Sequence, residues 1–542
     1  MNKRANLQVL IPALSRQAVF QDDLIKMHAG QSLVERALTR ARSLELTERD
    51  IIVLTDSEEI CLIAERNGAS PIYNDRQSTD LFGILKRLLS GSVDSSYDIV
   101  DVLVLSPYVP LLTSEELVAA YQSFILSDAD VLRPVRHECH RLFSDQNCTL
   151  QELMAGAQDH SLVLDSQAFL LFKYHLLADD CMRPAVVAPW TLRTQTVEIE
   201  TLQDWWVSEK LLQRRRIVFR VIGDNEVGMG HIYRALAIAH ELTDHEILFV
   251  CDSKSFAVVN KLAGYDYWLD VVPEGKMVSS ITRLQPDLVI NDILDTTVEY
   301  ILGLKEKRFA VVNFEDLGSG AANTDLTINE LYDEPIIEGD QILWGHEYFF
   351  VREEFDAARP HQLGDKVDSI LVTFGGVDQN GLTLEVYRAV RKLCREFDIH
   401  MNIVTGPGYR DYQVLADEVA KYGGASVTHS TGVMSKIMEQ SGVAITSNGR
   451  TVYELAHMNI PSIVIPQNAR ECTHAFASEE TGFIPMPPYQ KGASESQICH
   501  NLRQLLTDAS FRLKLMKNIE PYSFRDNKKT VINKILELLK DV

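Results

Sequence analysis

The residue pattern with the most chemical content in this chain is a histidine set among glycines, Gly228-Met229-Gly230-His231-Ile232-Tyr233-Arg234. Glycines let backbone N–H groups approach a ligand and a helix N-terminus favours an anion, so the pattern reads as a phosphate site. His231 adds the means to move a proton, activating water for hydrolysis or a hydroxyl for transfer. The other role open to it is a helix-cap histidine that binds phosphate without proton transfer. Arg234, one turn later, can pair with phosphate or form a plain salt bridge. Further on, Asp292 and Asp295 in Asn291-Asp292-Ile293-Leu294-Asp295 can orient His231 or water, or cap a helix.

These side chains need elements to hold them. The apolar run Ile217–Ile222 precedes the glycines and the helical pattern Ala235-Leu236-Ala237-Ile238-Ala239 follows, giving strand, glycine turn and helix. Strand-like runs continue at 247–250, 288–290 and 310–312. A second start comes at Ser369-Ile370-Leu371-Val372, followed by the glycine turn Phe374-Gly375-Gly376-Val377-Asp378 and strands at 401–404, 443–445 and 462–465. Two such openings suggest two similar lobes facing a cleft, joined by a polar hinge around 351–366. From Leu7 to Leu212, short apolar runs such as Ile51–Leu54 and Val102–Leu105 also alternate with helical patterns. This argues a mostly parallel sheet covered by helices, with ligands at the carboxyl ends of the strands. Arg214-Arg215-Arg216 reads as a solvated junction.

The bulk properties agree with several α/β domains. At 542 residues one core is unexpected, and 46% apolar residues suffice for each part to bury its own. No apolar run approaches the roughly 20 residues of a membrane span. No signal peptide is expected, because the first residues lead straight into Leu7-Gln8-Val9-Leu10-Ile11. Eight scattered cysteines read as reduced thiols of a cytoplasmic protein. A net charge of −23 argues against nucleic acid as a partner but leaves room for a small phosphorylated ligand.

The ordered motifs over residues 217–480 resemble the UDP-sugar hydrolase of the pseudaminic acid pathway, a relative of GT-B glycosyltransferases. They are Gly228-x-Gly230-His231-x-x-Arg234, the segment Leu343–Phe355, the turn Thr373–Asn380, and Ser447-Asn448-Gly449-Arg450-Thr451-Val452-Tyr453-Glu454 followed by Ile460–Ile465. The resemblance implies that His231 is the base, that Asn448, Gly449, Arg450 and Thr451 with Gly375 and Gly376 shape the nucleotide and phosphate sites, and that Glu454 holds the ribose. Asn468 is family-like, while Arg470 and His474 are additional candidates for phosphate or sugar contact. The family carries an Asp-His-Tyr-Gly type segment where this chain has Asp292-Ile293-Leu294-Asp295, so its aromatic is absent.

Residues 7–212 resemble a cytidylyltransferase that makes CMP-activated sialic acids, through Thr55-Asp56-Ser57-Glu58-Glu59-Ile60, Ala64–Ala69, Leu105–Leu112 and Gly30-Gln31-Ser32-Leu33. That family wraps a triphosphate with Arg-Gly-Gly-Ser-Lys-Gly. Here Leu14-Ser15-Arg16-Gln17-Ala18-Val19 has no glycine and no lysine, and Asp22-Asp23 replaces later basic residues. The family's metal-binding Asp-x-Asp reads Glu198-Ile199-Glu200, which could hold Mg²⁺ or lie on a strand's solvent face. A degenerate, weak or silent domain is expected, with Mg²⁺ needed only if it is active. His137-Glu138-Cys139-His140 reads as a loop, and Trp205-Trp206 as helix packing.

The expected architecture is α/β: a Rossmann-like nucleotidyltransferase domain (1–212), a GT-B-like N-terminal lobe (217–360) and a C-terminal nucleotide-binding lobe (361–542). The expected activity is hydrolysis of a UDP-amino sugar in nonulosonic acid or surface-glycan synthesis, without a cofactor. A glycosyltransferase, an active CMP-sugar synthetase fused to it and a non-catalytic nucleotide-binding assembly protein are the alternatives. A nucleotide sugar is the expected partner, and the chain can also form a homo-oligomer.

Overall fold

The computed structural model describes residues 7–15, 18–74, 83, 86, 100–137, 143–146, 149–152, 163–177, 185–193, 197–223, 229–273, 275–363 and 366–540. Arg16, Gln17, Glu138, Cys139, His140 and Gly228, all singled out from sequence, lie outside them. The chain divides into two compact units, Met1–Arg214 and Arg215–Val542.

In the first unit the main sheet is built from β1 (Leu7–Ala13), β2 (Ile51–Thr55), β3 (Ser70–Tyr73), β4 (Asp101–Leu105), β5 (Val131–His137), β6 (Val163–Asp165), β7 (Phe169–Lys173) and β8 (Val187–Thr191). Its order is β6-β5-β7-β4-β1-β2-β3, with β8 against β5. The half from β4 to β3 is parallel, whereas β7 runs antiparallel to β4 and β5, so the sheet is mixed. Past β1, Asp23 is fully buried; its carboxylate accepts the N–H groups of Val19 (2.7 Å) and Phe20 (3.4 Å) and the Tyr108 hydroxyl (3.2 Å). The Phe20 ring meets Trp205 edge-on at 4.9 Å. A carboxylate and two aromatic rings thus meet just past β1. Of the tryptophan pair on α1 (Leu202–Leu212), Trp205 is buried but Trp206 is 56% exposed, so only one of the two packs the helix. Glu200 is exposed and Glu198 half-buried. Among the described residues no three His, Cys, Asp or Glu side chains are grouped to hold a metal ion.

The second unit contains two parallel sheets. The first joins β9 (Arg216–Val221), β10 (Glu246–Asp252), β11 (Trp268–Val272), β12 (Leu288–Asp292), β13 (Ala310–Phe314), β14 (Leu326–Asn329) and β15 (Ile342–Trp344) in the order β11-β10-β9-β12-β13-β14-β15. The second joins β16 (Ser369–Thr373), β17 (His400–Thr405), β18 (Ala425–His429), β19 (Val443–Thr446), β20 (Ser462–Val464) and β21 (Phe483–Pro485) in the order β18-β17-β16-β19-β20-β21. Both orders reverse beside the first strand, and helices on both faces explain why the strands are continuous apolar runs. The crevice beyond the carboxyl ends of the strands at such a reversal is where these sheets take ligands. In the second lobe the glycine turn sits there, after β16; in the first, Gly230 opens the helix that follows β9. The chain therefore has the α/β, two-lobed GT-B-like architecture expected from its motifs.

Two local readings are corrected. Arg215 and Arg216 are not a solvated linker: Arg216 Nε donates to Glu246 (2.8 Å), its guanidinium also donates to the Leu284 carbonyl (2.6 Å), and Arg215 lies 3.5 Å from Asp287. They brace the start of β9, because the strands on either side of it, β10 and β12, begin beside it at Glu246 and just after Asp287. The C-terminal lobe also does not keep the whole of 361–542. Helix α2 (Asn527–Leu538) crosses back, and Val531, Ile532 and Ile535 join the core of the first lobe. Each such buried side chain contributes roughly 1.5–3 kcal/mol, so the apolar stripe, not sequence proximity, decides where the helix docks.

Candidate functional site

Helix α3 (Gly230–Glu241) opens at Gly230, and its repeated small and apolar residues bury it against the first sheet. This fixes His231 in the first turn and Arg234 one turn below. Strand β12 ends at Asp292, whose burial is complete to within 1%. The three side chains converge. His231 Nδ1 lies 2.5 Å from Asp292 Oδ1, and Arg234 grips the same carboxylate through Nε (2.8 Å) and Nη2 (2.5 Å). Burial alone would raise the pKa of Asp292, but Arg234 and then His231 outweigh it and hold the carboxyl well below the usual range. Burial likewise opposes the charge of Arg234, and Asp292 and Glu315 outweigh that burial and raise its pKa. With Asp292 ionised, Nδ1 must carry the histidine proton. Nε2 is left as the basic nitrogen, the arrangement a general base requires.

Around this centre lies a network of opposite charges. Arg234 also donates to Glu330 (2.8 Å), which is fully buried just beyond β14, and lies 3.7 Å from Glu315. Arg450 of the second lobe pairs with the same Glu330. Burial and the nearby charge of Arg234 pull the pKa of Arg450 down to about 10. Arg470, also of the second lobe, donates to the Tyr332 hydroxyl (2.7 Å), to Asp295 (3.0 Å) and to the Glu315 carbonyl. Two arginines therefore fasten one lobe to carboxylates of the other.

Between the lobes is a cavity of about 670 Å³. Gly230, His231, Arg234, Gly375, Gly376, Gly449, Arg450, Thr451, Glu454, Asn468, Arg470 and His474 all line it. Every arginine in its wall has a carboxylate partner; Arg352 pairs with Glu454 (3.1 Å) and Glu354 (2.8 Å). A diphosphate entering here would find these arginines already neutralised. Gly375, at φ +76°, makes the turn after β16 possible without strain. Gly376 passes so close to Gly406 that a Cβ on Gly406 would sit 2.2 Å from the Gly376 carbonyl oxygen.

Several expected roles are altered by the geometry. Arg234 is committed to Asp292 and Glu330, which favours the salt bridge over phosphate binding. Glu454 is tied to Arg352, and Asn468 Oδ1 caps the Glu471 N–H (2.9 Å). Asn448 is not in the cavity wall; its side chain donates to the carbonyls of Glu471 (2.8 Å) and His474 (2.9 Å). Its function is to hold two loops together. Asp295 reaches Arg470 and the Leu317 N–H rather than His231. In the segment where the motif resemblance would place an aromatic, Leu294 lines the cavity with φ +65°. Sequence reading missed Glu330, Glu315 and Glu471. The available signal was an acidic residue directly after an apolar parallel strand, as in Phe314-Glu315 and Asn329-Glu330, where α/β sheets place ligand groups. Glu471 accepts the N–H groups of Gln467 (2.8 Å) and Asn448 (3.2 Å), and burial raises its pKa.

No protein-family profile matches the chain. Over 272 residues it is 26% identical to an uncharacterised protein of Methanocaldococcus jannaschii, covering 46% of this chain and 56% of that protein. The chain thus spans little more than half the length of that relative. It is 24% identical over 313 residues to the spore coat polysaccharide biosynthesis protein SpsG of Bacillus subtilis, covering 55% of this chain and 91% of that one. Among solved structures, MurG of Acinetobacter baumannii aligns with a TM-score of 0.44 and 12% identity, covering 60% of this chain and 99% of that one. A likeness that distant bears on neither substrate nor mechanism. Among the described residues no helix is long and apolar enough to cross a membrane.

Proposed function

We propose that the second unit processes a nucleotide-activated amino sugar of a surface-glycan or nonulosonic acid pathway, by hydrolysis, with His231 as the general base. The observation that carries this reading is the buried His231–Asp292 pair at 2.5 Å, whose histidine lines a cavity walled also by Gly230, Gly375, Gly376 and Gly449. Asp292 fixes the Nδ1–H tautomer, and Nε2 takes a proton from water as that water attacks the anomeric carbon; the bond to the nucleoside diphosphate breaks and the diphosphate leaves. Backbone N–H groups near Gly375 and Gly449 stabilise the departing charge. A cavity of this size accepts a nucleotide sugar. The relationship to a polysaccharide biosynthesis protein supports the glycan context. The chemistry needs no cofactor from the second unit; Mg²⁺ belongs to the reading only if the first unit is active.

Glycosyl transfer is the second reading, favoured by the two-lobed fold; it differs in offering an acceptor hydroxyl to Nε2 in place of water. The experiment is ³¹P NMR of the full chain with UDP-amino sugars and no acceptor, beside His231→Ala. Steady UDP release that the variant loses supports hydrolysis. Release only when a sugar acceptor is added selects transfer. UDP binding with no release under either condition refutes both and leaves a nucleotide-binding assembly protein.

A further inference from the structure

A second histidine in the cavity is held as strictly as His231, by different means. His474 is at 9% exposure, and its Nδ1 lies 2.6 Å from the Asn448 carbonyl oxygen. A carbonyl only accepts, so Nδ1 carries the proton. The Asn448 side chain returns a hydrogen bond to the His474 carbonyl (2.9 Å), closing a reciprocal clasp between two loops of the second lobe. The Tyr332 ring meets the imidazole edge-on, with centroids 4.9 Å apart, so the ring is fixed in its plane as well as its tautomer. Burial lowers the pKa of His474, which keeps the ring neutral. Its Nε2 is buried, unprotonated and without a hydrogen-bond partner, while the residue lines the cavity. A buried acceptor left unmatched costs about 1–3 kcal/mol, so such a group in a ligand cavity needs a donor.

The identity of that donor follows from chemistry. A neutral ring whose free nitrogen offers only a lone pair repels phosphate oxygens. His474 is also at the seam between lobes, against Tyr332 of the first, and not at the Thr405–Pro407 and Ser430–Met434 wall formed by the second lobe alone. We propose that His474 is a specificity-determining residue whose Nε2 accepts a hydrogen bond from a hydroxyl or amide N–H of the sugar carried by the nucleotide. This deepens the nucleotide-sugar reading and rests on it. Tight orientation by the clasp makes the contact selective, because a sugar lacking the donor leaves Nε2 unmatched.

The test uses the full chain labelled with ¹⁵N-histidine, with UDP and UDP-N-acetylglucosamine as probes, and the His474 signals identified by their loss in His474→Phe. The ³¹P signals report independently whether each probe binds. Expected is a pyridine-type Nε2 signal in the free protein that shifts with UDP-N-acetylglucosamine and stays in place with UDP. His474→Phe should weaken UDP-N-acetylglucosamine binding about three- to tenfold more than it weakens UDP binding, the equivalent of one hydrogen bond. The inference is overturned if Nε2 is indifferent to a UDP-N-acetylglucosamine that the phosphorus signals show to be bound, or if it shifts equally with UDP. Absence of ³¹P shifts with both probes instead overturns the nucleotide-sugar reading itself, and this inference with it.

Discussion

Replacing Asp292 by asparagine tests the whole chain of reasoning at the candidate site. The carboxylate accepts three contacts on two oxygens: His231 Nδ1 and Arg234 Nη2 on Oδ1, each at 2.5 Å, and Arg234 Nε on Oδ2 at 2.8 Å. An amide has the same shape but only one acceptor. With its oxygen toward His231, its NH₂ faces Arg234 Nε, donor against donor. Turned over, its NH₂ faces Arg234 Nη2 and forces His231 to accept at Nδ1, moving the imidazole proton to Nε2 and abolishing the base. Breaking a buried ion pair from one side costs about 3–5 kcal/mol, and because Glu330 still neutralises Arg234 the lower end applies, about 3 kcal/mol. That corresponds to a fall in Tm of roughly 6–12 °C. UDP release should fall by about 10²–10⁴-fold, the range for a lost general base. Thermal unfolding and ³¹P NMR on the same sample measure both. A variant with native Tm and native release would refute the assignment, since neither the ion pair nor the tautomer would matter. Glu330→Gln separates the effects: it should lower Tm while leaving the His231–Asp292 contact and most of the release.

Acid stability offers a second check. The pKa of folded Asp292 is depressed below its ordinary 3.8, so its contribution is present above that value and is lost as the pH falls toward the folded value; urea unfolding from pH 6 downward should show this loss in the native chain and not in Asp292→Asn. Arg470→Ala removes contacts from the second lobe to Tyr332, Asp295 and the Glu315 carbonyl. We expect a larger radius of gyration in X-ray scattering of the second unit's lobes with a Tm change of only a few degrees, each lost contact being worth about 1 kcal/mol. Gly406→Ala drives a methyl into the Gly376 carbonyl; UDP affinity should drop more than about tenfold, read by calorimetry, because the overpacked turn must move. In the first unit, CTP with Mg²⁺ and a nonulosonic acid should give no pyrophosphate, since past β1 a buried Asp23 carboxylate accepts the backbone N–H groups of Val19 and Phe20.

The sequence was most readable where local pattern and local structure coincide. The strand and helix of the opening at 217–241, and the strand, glycine turn and helix of its counterpart at 369–396, are decided by apolar periodicity and turn residues, and these formed as read. The partners of those residues were not legible. Arg234 meets Asp292 across 58 positions and Glu330 across 96, and Arg450 reaches Glu330 from the other lobe. Such pairings depend on which strands end side by side, a consequence of strand order that no window of sequence contains. Asn448 shows the same limit from the other side: its motif suggested a ligand, but the loop carbonyls of Glu471 and His474 were nearer. Tryptophans 205 and 206 share one composition signal, and only the helix phase on α1 tells the buried one from the exposed one.

The return of α2 to the first lobe changes what the cleft can do. Chain passes between the lobes twice, once through the segment before β16 and once on the way to α2. A pair of plates joined at one point can swing and twist in any direction. Joined at two, they turn about the line through both, like a lid on a pair of hinges. Closure over a ligand is then one angular movement with the sideways shear and the twist removed. His231 on one plate and His474 on the other would meet a bound sugar along the same arc at every closure, with no search over orientations.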